Sequence, residues 1–149
     1  NASAWQWWTA VSLNEDVPLW LQPMEGSSGE SVKYDGRVVT TKMFWATANY
    51  SFFVRPGMRR VDVRAVDREV SPLEAATSLM VSSYTDGAQV VTVFVNYADA
   101  DKSIALKCDN ARKGKMYVTS IDKDLQYVGK QRLDALSIPA RSVVTVVVD

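Results

Sequence analysis

Lys42-Met43-Phe44-Trp45-Ala46-Thr47-Ala48-Asn49-Tyr50-Ser51-Phe52-Phe53-Val54-Arg55-Pro56-Gly57 divides this sequence into two kinds of text: apolar residues recur at helical spacing inside it and at every second position after it. Met43, Ala46, Tyr50, Phe53 and Val54 fall at i, i+3, i+7, i+10 and i+11, one face of a helix predicted over 41–54. Thr40 or Thr41 can cap its start, and Arg55-Pro56-Gly57 stops it with a proline and a glycine. Trp45 and Phe52 lie off that stripe. The helix is therefore expected to be apolar on more than one side and to bridge two packing layers.

Downstream, the two-residue period predicts strands at 60–66, 78–84, 89–97, 103–108, 116–121 and 142–148, with a weaker one at 136–138. Thr85-Asp86-Gly87-Ala88 is a tight hairpin signal. The closing run Val143-Val144-Thr145-Val146-Val147-Val148 offers no polar face, so its strand should be central or covered on both sides. Short strands with regular turn signals describe a mainly β fold: an antiparallel β-sandwich of about 6–8 strands.

Upstream, all five tryptophans fall within the first 45 residues, three of them in Ala4-Trp5-Gln6-Trp7-Trp8. A strand with aromatics on both faces must be covered on both, so this tract reads as the last member of a larger structure. The apolar run from Ala4 to Leu13 is expected to be one buried strand, leaving through the turn-rich Asn14-Glu15-Asp16-Val17-Pro18. From there to about Thr41 the sequence reads as loop, with Ser31-Val32-Lys33-Tyr34 and Arg37-Val38-Val39 flanking Asp35-Gly36 as a short hairpin.

Composition narrows the chemistry. With 149 residues the chain can bury a real core. Seventeen basic and seventeen acidic residues cancel, so no net field recommends a nucleic acid or an anionic membrane. The absence of histidine removes the commonest general base and metal ligand, along with any Ser-His-Asp or Cys-His machinery. Acid–base work would fall to carboxylates. Cys108, the one cysteine, closes no disulfide within the chain and reads as a buried strand thiol. No apolar run is long enough to cross a bilayer as a helix, and no metal or cofactor is expected. Asn1-Ala2-Ser3 and Asn49-Tyr50-Ser51 fit the N-glycosylation pattern, but the second lies on the predicted helix. The arginines from Arg55 to Arg68, interleaved with acids, fit a solvated strand edge.

Three segments together carry a family resemblance: Ala4-Trp5-Gln6-Trp7-Trp8, the helix from Lys42 through Asn49-Tyr50-Ser51-Phe52-Phe53-Val54-Arg55-Pro56-Gly57, and Ile138-Pro139-Ala140-Arg141-Ser142-Val143-Val144-Thr145. In this order they resemble the C-terminal part of glycoside hydrolase family 30, the group of glucosylceramidase-like, β-1,6-glucanase and xylanase enzymes. The resemblance implies a β/α unit from the end of a (β/α)8 barrel followed by a side sandwich, with domains at 1–57 and 58–149. Ala4–Ala10 would be barrel strand eight, 14–40 the loop after it and 41–54 barrel helix eight.

Such enzymes use two glutamates in a retaining mechanism, about 5 Å apart across the glycosidic bond. No carboxylate of this chain matches either, so no catalytic residue is assigned. Glu15, Asp16, Glu25 and Glu30 read as solvated loop acids. By resemblance, Trp8 lines the subsite next to the scissile bond, where sugar C–H faces can pack on its ring. Gln6 shares its strand face and supports it from deeper in the barrel, while Asn14 and Trp20 rim the cleft. Trp5 and Trp7 alternate to the helix side, as packing residues. Thr9-Ala10-Val11-Ser12 stands where the glucuronoxylan-specific branch carries arginine and tyrosine, which favours a parent acting on β-linked glucosides or glucans.

The resemblance further implies a secreted, periplasmic or cell-surface protein whose partners are the missing barrel portion and a β-linked glycan. Alone, the chain is expected to be inactive, with open strand edges that invite self-association. The competing expectation is a noncatalytic carbohydrate-binding or structural β-sandwich module. That reading asks for a row of aromatics on one sandwich face, whereas Tyr84, Phe94, Tyr97, Tyr117 and Tyr127 look scattered over different strands.

Overall fold

Six residues from Val143 to Val148 with a single threonine among valines cannot present a wet face, and in the computed structural model they lie at the heart of a six-stranded sheet. The structure describes residues 9–24, 36–66 and 69–149. They divide into two units, 1–47 and 48–149.

In the first unit, β1 (Val11–Ser12) pairs in parallel with β2 (Leu19–Gln22), which pairs antiparallel with β3 (Arg37–Thr40). The expected loop over 14–41 therefore contains two strands. Leu19-Trp20-Leu21-Gln22 is an apolar run held between Pro18 and Pro23, too short to register as a periodic segment. Arg37–Thr40 takes β2 as its partner; Ser31–Tyr34, the other arm expected of its hairpin, lies outside the described residues. The Thr41 hydroxyl donates to the Val17 carbonyl at 2.6 Å, and the Thr41 carbonyl accepts from Phe44 N at 3.1 Å as α1 (Lys42–Ser51) begins. Phe52 to Val54, expected to be helical, form turns beyond the helix end, where Phe52 N and Val54 N still donate to Ala48 O and Tyr50 O at 3.0 and 2.8 Å before Pro56 bars any continuation.

The second unit is the β-sandwich. Its large sheet has the order β4-β5-β6-β11-β8-β9, antiparallel throughout: β4 (Arg59–Val61), β5 (Leu79–Thr85), β6 (Val90–Asn96), β11 (Ser142–Val148), β8 (Lys113–Thr119) and β9 (Gln126–Arg132). The opposing layer pairs β7 (Lys102–Ile104) with β10 (Leu136–Ile138), reached from β9 through a 3-10 turn over Leu133–Ala135. The fold is thus mainly β, and β11 is central as its sequence requires. The β5–β6 hairpin closes where expected: Asp86 accepts from Ala88 N and Gln89 N at 2.9 and 3.0 Å, and Gly87 takes φ +94°.

Alternation along β11 builds two cores. Val144, Val146 and Val148 join Phe94, Met116 and Val118 against Leu133, Leu136 and Ile138, and this cluster fills the sandwich. On the opposite face Val147, with Val91 and Val93, is covered by Tyr50, Phe53, Val54 and Met58. Burial on both faces at about 25 cal/mol per Å² of apolar surface is the main stabilising term.

Polar groups within this unit are tied. Asn49 is fully buried: its Nδ2 donates to Thr119 Oγ1 at 2.8 Å, and Thr145 Oγ1 lies 2.9 Å from both its backbone and side-chain oxygens. Burial excludes Asn49 from glycosylation in the folded chain. Asn96 closes the Ile138-Pro139-Ala140-Arg141-Ser142 corner, its Nδ2 sharing two N–H donors among Ala100 O, Ile138 O and Pro139 O at 3.0, 3.1 and 2.8 Å. Arg141 makes that corner with φ +46°.

Several strand expectations need correction. The strand predicted over 60–66 ends at Val61, and its valines Val63 and Val66 are exposed. The strand at 103–108 stops at Ile104, leaving Cys108 half-buried in a turn. The strand at 116–121 begins three residues earlier, at Lys113, and ends at Thr119. β9 was not expected: in Gln126-Tyr127-Val128-Gly129-Lys130-Gln131-Arg132 a solvated edge strand erases the alternation. The helix α2 (Pro72–Thr77) is also additional, although Ser71-Pro72-Leu73-Glu74 spells an N-terminal cap; Ser71 Oγ accepts from Glu74 N at 3.2 Å.

Candidate functional site

Of the four residues proposed to meet a sugar, Trp8 and Gln6 lie outside the described residues, as do Glu25 and Glu30. Asn14 and Trp20 fall in the first unit. Trp20, half-buried on β2, donates its indole N–H to the Leu13 carbonyl at 3.1 Å. This bond pins the exit of the Leu13–Pro18 loop and commits the polar edge of the ring. The neighbouring Asn14 is exposed, as are Glu15 and Asp16, while Val17 and Pro18 are buried beneath them. The loop thus offers solvent a short polar crest on an apolar foot.

The carboxyl groups with shifted proton affinity are shifted downwards. Asp122 is held at about 2 by hydrogen bonds from Lys123 and Ser120. Asp134 is lowered by Arg132, whose guanidinium engages both of its oxygens at 3.0 and 2.6 Å. Asp99 is lowered by Arg141, and Asp86 by the backbone amides of its turn. These four are kept as anions, the reverse of what a general acid needs near neutrality. Burial and then Asp109 push the Cys108 thiol up, which makes it a poor nucleophile.

An open groove of about 640 Å³ between the segment 105–113 and the 3-10 turn is lined by Leu106, Lys107, Arg112, Lys113 and Leu133. Arg132 also lines it, already paired with Asp134.

A second feature was hidden in the sequence. Tyr117 and Tyr127 are direct cross-strand partners on β8 and β9 with ring centroids 5.2 Å apart. Phe53 stands 4.6 Å from Tyr117, and Phe52 stands 5.0 Å from Phe53. Four rings from three separate stretches are in successive contact, edge-on at 74° between Phe52 and Phe53 and tilted by 48° and 42° in the other two pairs. The two ends are open, Phe52 at 67% and Tyr127 at 50% exposure, and the middle pair is half-buried. Its only sequence signal is the two-residue phase of β8 and the Phe-Phe pair ahead of Pro56, and without β9 in the expected strands the row could not be assembled.

The same chain trace occurs in known structures. A conserved exported protein from Bacteroides fragilis matches with 62% identity over 99% of this chain, at a TM-score of 0.96. The present chain spans 30% of that protein's length. Two xylanases of glycoside hydrolase family 30 share the fold at greater distance. The Clostridium acetobutylicum enzyme, of subfamily 8, covers 87% of this chain at 21% identity and a TM-score of 0.60. The Clostridium papyrosolvens endoxylanase covers 72% at 23% identity and 0.58. The chain amounts to 32% and 28% of these two enzymes.

The fold is similar to part of the fold of these family 30 xylanases.

Neither a protein-family model nor a curated protein sequence matches the chain. Among the described residues no helix is long and apolar enough to cross a membrane.

Proposed function

We propose that this chain is the C-terminal portion of a retaining, exported glycoside hydrolase acting on β-linked glucosides or glucans, inactive by itself, supplying a brace and one wall of the sugar pocket. The observation that carries this reading is the fold correspondence: 72% and 87% of the chain match a third or less of two xylanases. An exported relative at 62% identity supports a location outside the cytoplasm. In the complete enzyme two glutamates from outside this chain would act as acid/base and nucleophile. Trp8 would pack on the sugar beside the scissile bond, with Gln6 behind it and Asn14 and Trp20 at the rim. The lean towards glucosides rests on Thr9-Ala10-Val11-Ser12, which brings neither the arginine nor the tyrosine that the glucuronoxylan-specific branch carries there for an acidic side group.

The test is hydrolysis by the longer gene product, assayed on an aryl β-glucoside, a β-glucan and a xylan. Trp8→Ala in that protein is expected to lower kcat/KM about 10–100-fold, roughly 1.4–2.7 kcal/mol of transition-state binding. Unchanged kcat/KM in Trp8→Ala would remove that residue from the pocket. A longer protein inactive on all three substrates would overturn the proposal.

A further inference from the structure

The edge ribbon of the large sheet carries a charge pattern that does not favour folding. Lys113 of β8 stands directly across from Arg132 of β9, and Lys115 directly across from Lys130, so like charges meet at two cross-strand rungs. Cross-strand neighbours lie about 4.5–5.5 Å apart at Cβ, and like-charged pairs at that separation are destabilising. Alternation turns Gly114, Met116 and Val118 towards the core that fills the sandwich, which leaves these four cations on the outer face.

The segment before β8 extends the pattern. Lys107 and Arg112 line the open groove of about 640 Å³ together with Lys113 and Arg132. Six cations thus adjoin, set against the side-chain carboxylates of Asp109, Asp134 and Asp149. Asp134 is taken by Arg132 and Asp149 by Lys115, whereas Lys107, Arg112, Lys113 and Lys130 form no ion pair among the described residues. The chain as a whole has no net charge, so this excess is local. Charges on a free edge guard it against pairing with another strand. That accounts for Lys130 and Arg132, but Lys113 and Lys115 sit on the inner strand of the ribbon, and Lys107 and Arg112 precede it.

Charge and spacing indicate the partner. Positions two apart on a strand, such as Lys113 and Lys115 or Lys130 and Arg132, repeat at about 6–7 Å, and alternate side chains of an extended peptide repeat at the same distance. The face already engages carboxylates, Asp149 at 2.7 Å from Lys115 and Asp134 at 3.0 and 2.6 Å from Arg132. A single-stranded nucleic acid needs open ring faces on which its bases stack, whereas Tyr117, the ring next along β8, is packed against both Phe53 and Tyr127 at 4.6 and 5.2 Å.

We propose that the outer face of β8 and β9, with the adjoining groove, binds an extended acidic segment of a partner protein, whose carboxylates pair with Lys107, Arg112, Lys113 and Lys130. Each carboxylate seated at Lys113 or Lys130 converts a repulsive rung into a bridged one.

The test is a titration of the 149-residue chain with a synthetic peptide of alternating glutamate and serine, about ten residues long so as to span the ribbon, followed by amide shifts at low ionic strength. Binding is expected, with shifts centred on Lys113 and Lys130, and it weakens steeply as salt is raised. Lys113→Gln and Lys130→Gln are each expected to reduce the affinity about threefold to tenfold, while Lys102→Gln, on β7 of the opposing layer, leaves it unchanged. Both positions are exposed and each substitution removes a like-charge contact, so the two variants are expected to melt no lower than the parent. No binding at low salt overturns the proposal and leaves the cations as a solvated surface. A lowered melting temperature in either variant also overturns it, since the cations would then be structural. Tighter binding of an oligothymidylate or of anionic phospholipid vesicles than of the peptide would give the face to phosphate groups instead.

Discussion

Asn49 is the residue on which the helix end and the sheet are joined. Its amide and carbonyl groups satisfy Thr119 and Thr145 in a site closed to water, and among the described residues no buried side-chain polar atom lacks a partner. Asn49→Ala removes the amide between Thr119 and Thr145, leaving Thr145 the backbone carbonyl of residue 49 and Thr119 its bond from Leu125 N, and is expected to cost about 1–3 kcal/mol. A urea melt of the variant against the parent chain reads this directly, and a loss below about 1 kcal/mol would mean that water replaces the side chain. Asp122 sets a second prediction at this scale. Its folded pKa of about 2 lies below the ordinary carboxyl value, so folding favours the anion. The stabilisation is fully present above about pH 4 and is lost as pH falls towards 2. An NMR titration should place its midpoint near 2, and Asp122→Asn should flatten stability across that window. A midpoint close to 4 would show that Lys123 and Ser120 do not hold it in solution.

Elements were legible in proportion to how completely they are buried. β11 was read to the residue because both its faces are covered and nothing polar interrupts the valines, and the β5–β6 hairpin because Asp86-Gly87 supplies its turn chemistry. β9 escaped because an edge strand has no need of alternation, and the extent of β4 was overstated because Val61, Val63 and Ala65 alternate although Val63 and Ala65 are exposed. The aromatic row was lost with β9, since Tyr127 acquires its neighbours only through pairing with Tyr117. The site residues at the N-terminal end were reached through family resemblance; periodicity places Trp8 and Gln6 on one strand face and says nothing of a sugar. Packing between strands yields its own prediction at Gly114 of β8. A Cβ there would stand 2.7 Å from Val146 Cγ1 and 3.1 Å from the Val147 carbonyl, both in the buried central strand. Gly114→Ala is expected to destabilise the sandwich by about 1–3 kcal/mol through overpacking. A melting temperature equal to that of the parent would show that β8 and β11 have room to part.

For the whole molecule, the division of labour follows from where chemistry is possible. Among its described residues the sandwich keeps its shifted carboxyls ionised, raises the Cys108 thiol and places polar side chains in corners and turns. Under the proposed function, bond cleavage belongs to a longer protein; the present chain spans 30% of the length of its exported relative. The measurement that tests this most directly compares hydrolysis of an aryl β-glucoside and soluble β-glucan by the 149-residue chain and by the longer gene product at equal concentration. The account predicts no turnover by the chain and turnover by the longer protein, lowered about 10–100-fold by Trp8→Ala. Turnover by the chain alone, or none by the longer protein, would contradict it.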